Sequence, residues 1–192
     1  MKNILRWLRV AGMILILLSL GLVLGSRLIE TRAQQASAAV ASRMEELLAV
    51  RTSGTPGVGT GPAMPALELD GRDYAAFLEV PGLGVALPVC DSWEDRTWVG
   101  NPCRYWGSCY DGSLIIGGGR MGQMEFCARL DLGDRVTVTD LQGRMFTYTV
   151  SSILRAEKLT FRRLREGEKP LTMFARDGSS GRYIIVGCDF LQ

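Results

Sequence analysis

The sequence predicts a mainly β domain, a closed barrel or sandwich of short strands, carried behind an N-terminal membrane anchor. Three observations predict it. Residues 66–192 hold seven or more short apolar or alternating runs separated by turn residues, with little helical periodicity. Those 127 residues suffice for one core that buries roughly two-thirds of the unfolded surface. Ahead of them, residues 10–26 (VAGMILILLSLGLVLGS) run for seventeen positions without a charge.

The charge-free run, extended by Leu28 and Ile29, makes residues 10–29 just long enough to cross a hydrocarbon core of about 30 Å. Lys2, Arg6 and Arg9 form a basic flank over residues 1–9, from which Arg6 and Arg9 can snorkel to headgroups. The flank excess is three positive charges before the run and one across residues 27–51. That asymmetry predicts a single-pass signal anchor with a cytoplasmic N-terminus and an extracytoplasmic C-terminal domain. A cleaved signal peptide is the alternative, but small residues suited to cleavage come only at 33–39, well past the apolar run. Residues 30–51, rich in Ala, Gln, Glu and Arg, read as a helical stalk, and residues 52–65 (TSGTPGVGTGPAMP) as a flexible linker.

Within the domain, residues 74–81 and 84–89 are apolar runs broken at Pro81-Gly82. Residues 113–116 read as a buried strand entering the glycine run 117–119. Residues 135–139 alternate, and Asp140-Leu141-Gln142-Gly143 suits a hairpin connection into a strand over 145–151. Residues 171–175 and 183–188 form a final pair across a turn at 177–181. Between them, residues 157–169 place Leu159, Phe161 and Leu164 among charges and predict a short surface helix or loop.

Composition excludes several function classes. The chain contains no histidine, so Cys–His and Ser–His mechanisms are unavailable. Residues 1–65 carry seven Lys/Arg against three Asp/Glu, whereas residues 66–192 carry fifteen against seventeen. The domain is slightly acidic, which predicts no nucleic-acid partner. Five cysteines (Cys90, Cys103, Cys109, Cys127, Cys188) show no metal-ligand spacing, so neither a metal nor a cofactor is expected. Their pairing cannot be read from spacing. The run Gly117-Gly118-Gly119-Arg120-Met121-Gly122 lacks the Lys-Ser/Thr of a phosphate-binding loop, and its expected origin is a degenerate catalytic loop.

The order of motifs goes further. An anchor and linker precede Leu69-Asp70-Gly71-Arg72-Asp73-Tyr74 and FLEVPGLGVALPV. Asn101-Pro102-Cys103-Arg104-Tyr105-Trp106-Gly107-Ser108, Leu114-Ile115-Ile116-Gly117-Gly118-Gly119 and Leu130-Asp131-Leu132-Gly133-Asp134 follow. Leu171-Thr172-Met173-Phe174 and Val186-Gly187-Cys188 complete the set. Across essentially the whole domain this resembles the sortases, particularly the class B-like sortases of Gram-positive bacteria. The resemblance implies an eight-stranded β-barrel with short helices, and a family chemistry of extracytoplasmic cysteine transpeptidation that attaches proteins to the cell wall or to each other.

That chemistry uses a histidine, a cysteine and an arginine. By the resemblance, the histidine position falls on Gly119 (or Gly118, one place earlier), the cysteine position on Arg176, and the arginine near Arg182. A guanidinium stays protonated and cannot act as a nucleophile. The expectation is a membrane-anchored pseudo-sortase that binds a peptide or partner without transpeptidation, with Arg120, Arg176 and Arg182 as ligand-binding candidates. Arg176 and Arg182 would grip a carboxylate, although neutralisation of Arg176 by Asp177 is the plainer expectation. Implied partners are the membrane, a sorting-signal peptide, a cell-wall component or another sortase. One alternative is a divergent transpeptidase using relocated residues, with Cys127 as nucleophile and Glu125 or Asp131 as acid. The other is a structural envelope protein. Residues 155–169 carry six Lys/Arg against three Asp/Glu. By the resemblance they line the signal-binding groove; a solvated charged helix is the plain expectation, and docking to an acidic partner or anionic wall polymer the sharper one.

Overall fold

The computed structural model describes residues 42–43, 64–93, 99–118, 121–178 and 180–191. The expected anchor (10–29), its basic flank, and nearly all of the stalk and linker lie outside these residues. Among the described residues no helix is long and apolar enough to cross a membrane.

In chain order the strands are β1 (Leu67–Leu69), β2 (Arg72–Val80), β3 (Val85–Cys90), β4 (Val99–Gly100), β5 (Cys103–Trp106), β6 (Leu114–Gly117) and β7 (Met121–Gly122). β8 (Arg135–Asp140), β9 (Met145–Ala156), helix α1 (Phe161–Leu164), β10 (Leu171–Arg176) and β11 (Tyr183–Phe190) complete the domain. The hydrogen-bonded order is β1-β2-β3-β5-β6-β10-β11-β9-β8, and β8 pairs back onto β2. Eight strands thus close into a barrel, with β1 appended on β2. β4 and β7 form a separate parallel pair. The sequence left barrel and sandwich open; the β2–β8 pairing, from Ala76↔Asp140 to Glu79↔Thr137, decides for the barrel.

Strand parity builds two layers of apolar contact. Leu114 and Ile116 of β6, Leu171, Met173 and Ala175 of β10, and Ile184, Val186 and Cys188 of β11 face the barrel interior. They meet Leu78, Val138 and Tyr148 there. The alternate residues face outward, where Ile115, Phe174 and Ile185 form a second buried cluster with Ala156 and Leu164. A third gathers Tyr74, Phe77, Cys90, Cys103 and Leu141 under β1. Both faces of these strands are therefore buried, so they read as continuous apolar runs rather than clean alternation.

The turns follow from local chemistry. Pro81 opens a 3-10 turn that ends at Gly84, whose φ of +63° suits glycine and whose N–H donates to Pro81 O at 3.1 Å. At the β8–β9 hairpin the fully buried Asp140 carboxylate accepts from the N–H groups of Gln142 (2.8 Å) and Arg144 (2.9 Å). It also accepts from Arg144 Nε and the Tyr110 hydroxyl, each at 2.7 Å. The expected hairpin at 140–143 is present, and its aspartate is what orders it.

One expectation needs correction, and one strand is new. β9 runs on to Ala156 rather than stopping at Ser151, because Ser152 to Arg155 pair with Gly187 to Ile184 of β11. Residues 103–106 also form a strand, β5, pairing with β6 between Cys103↔Gly117 and Trp106↔Ile115.

Candidate functional site

β6 and β10 run parallel in the register Leu171↔Leu114 to Phe174↔Gly117, and Gly118 N–H donates to Phe174 O at 3.1 Å. Their C-terminal ends therefore lie side by side. This end of the barrel sets Gly117 and Gly118 beside Phe174, two residues before Arg176, which shares the outer face of Phe174. Gly119 and Arg120 lie outside the described residues.

The outer face here is filled by rings. Trp93 lies 5.5 Å from Phe174 and 5.3 Å from Tyr105 between centroids. Tyr105 stands edge-on to Phe174 at 5.4 Å. Phe161 of α1 extends the cluster to Tyr105 (6.3 Å) and Trp106 (5.3 Å). These are edge and tilted geometries that the ring quadrupole favours. A Cβ at Gly117 would overlap Phe174 and come within 2.6 Å of the Trp93 ring, and one at Gly118 would overlap Met124. Glycine at 117 and 118 is thus a packing requirement, and no side chain fits at either position without a shift. The degenerate-loop origin expected for this run is not needed to explain these two glycines.

Two clefts flank the ring cluster. One, of about 440 Å³, is lined by Asp91, Trp93, Arg104, Trp106, Asp111 and Ser113. The other, of about 270 Å³, is lined by Asp111, Ile115 and Thr172 and by Leu164, Arg165, Glu168 and Lys169. The last four belong to the 155–169 segment, in which the expected short helix is α1, capped by Thr160 Oγ1 accepting from Arg163 N–H at 3.3 Å. Buried Leu164 pins α1 to the barrel. Lys169 is held by Asp189 at 2.8 Å, and hydrogen bonding from Lys169 keeps the Asp189 carboxyl below its ordinary range.

The two arginines of the β10–β11 hairpin reach different partners. Arg176 is half-buried; its Nε donates to Gly181 O at 3.3 Å and its guanidinium lies 5.9 Å from the Tyr183 ring centroid. Arg182 turns toward Glu157, 3.9 Å away, a distance typical of a weak exposed pair. Asp177 accepts from Ser180 Oγ at 2.7 Å, and its N–H donates to Arg182 O at 2.8 Å.

Cys127 sits in a 3-10 turn (Glu125–Arg129) within the interior cluster, where burial, then the neighbouring Cys188, pushes its thiol well above the ordinary range. Burial likewise raises Cys109 and Cys188 to about 12. A neutral, enclosed Cys127 is poorly suited to nucleophilic attack. Glu125 lies beside the hairpin, 3.4 Å from where a Cβ at Gly178 would stand, while Asp131 is exposed in the turn before β8. Among the described residues no cluster of three or more His, Cys, Asp or Glu is placed to hold a metal.

The ring cluster was not foreseen from the sequence. The signal available was Trp93, an isolated large ring within the polar stretch 91–96, together with the adjacent rings of Tyr105 and Trp106.

No family model matches this sequence, and no curated protein does either. Solved structures do. A sortase D5 transpeptidase of Clostridium perfringens superposes with a TM-score of 0.56 at 13% identity, over 85% of this chain and 99% of that one. Sortase A of Corynebacterium diphtheriae gives 0.54 at 14%, over 88% and 94%. Sortase C1 of Streptococcus agalactiae gives 0.53 at 19%, over 66% and 72%. The domain therefore has the sortase fold, a closed eight-stranded β-barrel.

Proposed function

We propose that this chain is a pseudo-sortase, a membrane-anchored, extracytoplasmic module that holds a peptide or partner protein at the Gram-positive cell wall without transpeptidation. The observation that carries the proposal is the state of the barrel end formed by β6 and β10. Arg176 stands where the resemblance asks for the nucleophile, Gly118 leaves no room for a side chain at the shifted histidine position, and the chain has no histidine to supply from elsewhere. General acid–base assistance contributes typically 10²–10⁴-fold, and the histidine that gives it in the family's chemistry is missing from the sequence. The cleft lined by Ile115, Thr172, Arg165, Glu168 and Lys169 is the proposed seat for an extended segment, with Arg176 at the end of the same outer face. The motif order favours a class B-like member, although the three similar structures are of classes D, A and C. The anchor rests on the apolar run 10–29 and its basic flank.

Binding is tested by titrating the full-length protein in detergent with fluorescent sorting-signal peptides. Saturable binding weakened at least tenfold by Arg176→Ala supports the proposal. Absence of binding to any sorting-signal peptide or wall fragment leaves a purely structural envelope role in its place.

A further inference from the structure

Cys90 closes β3 and Cys103 opens β5, and the two are direct partners in a parallel bridge. The Cys90 N–H donates to Pro102 O at 2.8 Å, which fixes the register. Partners in neighbouring strands stand about 4.7–4.9 Å apart with their side chains on the same side. That spacing falls inside the Cα separation of roughly 4.4–6.8 Å that a disulfide requires. Both thiols lie in the same outer cluster with Tyr74, Phe77 and Leu141; the Cys103 thiol donates to Asn101 O at 3.6 Å and is placed to stabilise a Cys90 thiolate.

The other three cysteines differ. Cys109, Cys127 and Cys188 are at most 1% exposed, whereas Cys90 and Cys103 keep 8% and 7%. The hydrogen bond from Cys103, opposed by burial and helped by Arg72, lowers the Cys90 thiol below its ordinary range, while the thiols of the other three are raised. Geometry and exposure select the same pair, and the direction of the Cys90 shift agrees with them.

We propose that Cys90 and Cys103 are a redox-active dithiol that closes to an intramolecular disulfide by exchange with a small-molecule or protein disulfide, stapling β3 to β5. The Cys90 thiolate attacks one sulfur of the oxidant, forming a mixed disulfide and expelling the first thiolate. The Cys103 sulfur then attacks the Cys90 sulfur, forming the internal bond and expelling the second. Two electrons pass to the oxidant, which leaves as two thiols, and the two cysteine protons go to those thiols or to solvent. The closed ring spans residues 90–103 and so ties down both ends of the segment that carries Trp93 onto Phe174. The bond thereby sets how firmly the rings at the candidate site are seated.

The test is thiol mapping on the folded full-length chain in detergent. The protein is incubated with oxidised glutathione, blocked with an alkylating agent under denaturing conditions, and digested with trypsin without reductant. The five cysteines fall in separate tryptic peptides, with Cys90 in 73–96 and Cys103 in 97–104. The expected product is a single cross-link between these two, with alkyl label on Cys109, Cys127 and Cys188, and a thermal midpoint several degrees above that of the reduced chain. Label on both Cys90 and Cys103, a bond from either to another cysteine, or a reaction that stops with glutathione attached overturns the proposal. In Cys103→Ser the reaction should halt at a glutathione adduct of Cys90; an unmodified Cys90 in that variant overturns its assignment as the attacking thiol.

Discussion

Adding one methyl group at the candidate site tests the packing argument quantitatively. In Gly117→Ala the new Cβ overlaps the Phe174 ring and comes within 2.6 Å of Trp93. Comfortable carbon–carbon contact is about 3.5–4.0 Å, so both rings must retreat by roughly 1 Å. Overpacking of this kind costs about 1–3 kcal/mol. Phe174→Leu removes the ring tip that the methyl meets and, alone, costs about 2–2.5 kcal/mol, at roughly 0.8 kcal/mol for each of the three buried carbons lost. In the double variant the methyl enters space that the ring has vacated. The two changes should therefore compensate, by a coupling of about 1 kcal/mol or more. Thermal unfolding of the full-length protein, followed by near-ultraviolet circular dichroism from the Trp93 region, reads this at about 4 °C per kcal/mol. Strict additivity, or a Gly117→Ala variant as stable as the parent, would refute the account of why glycine stands there.

Three further predictions follow from the barrel. Asp140→Ala removes the acceptor shared by Tyr110, Arg144 and two backbone N–H groups, and should cost about 3–4 kcal/mol in denaturant titrations, with Asp140→Asn losing less because it keeps a backbone acceptor. The Tyr148 hydroxyl is buried with no hydrogen-bond partner among the described residues, so Tyr148→Phe should hold or raise stability by about 1 kcal/mol; a loss would reveal a partner. Asp189 titrates below its unfolded value in the fold because Lys169 bonds its carboxylate. Its contribution is complete above the unfolded carboxyl value of about 3.9 and fades as pH falls through the lower folded value. Lys169→Met should therefore flatten the acid limb of the stability–pH profile below about pH 4 without changing its slope near neutrality, where the carboxylate is ionised in both states.

The strands that carry the site were legible because both their faces are buried. Residues 113–116, 171–175 and 183–188 read as largely apolar runs, whereas the glycines after Ile116, read as a degenerate catalytic loop, gave no sign that Phe174, Trp93 and Met124 would press against them. β5 was not legible. Its residues Arg104 and Tyr105 have no apolar period, and the strand exists because β6 offers an edge and because Asp91 clamps Arg104 at 2.6 Å. The far end of β9 was hidden for a similar reason, its polar residues being drawn into the sheet by pairing with β11. Arg176 and Arg182 were found from the motif order, but six residues of separation gave no sign that one would lie against Tyr183 and the other turn toward Glu157. Trp93 escaped because its partner Phe174 is more than eighty residues away in sequence.

The proposal stands or falls on turnover. Full-length protein in detergent is incubated with sorting-signal peptides and an amine acceptor, and cleaved and amide-linked products are measured by mass spectrometry. The account predicts no product above a protein-free control, under conditions where peptide binding is saturated. Product that forms in the parent and disappears in Cys127→Ala, or in a variant of any other cysteine, would contradict it.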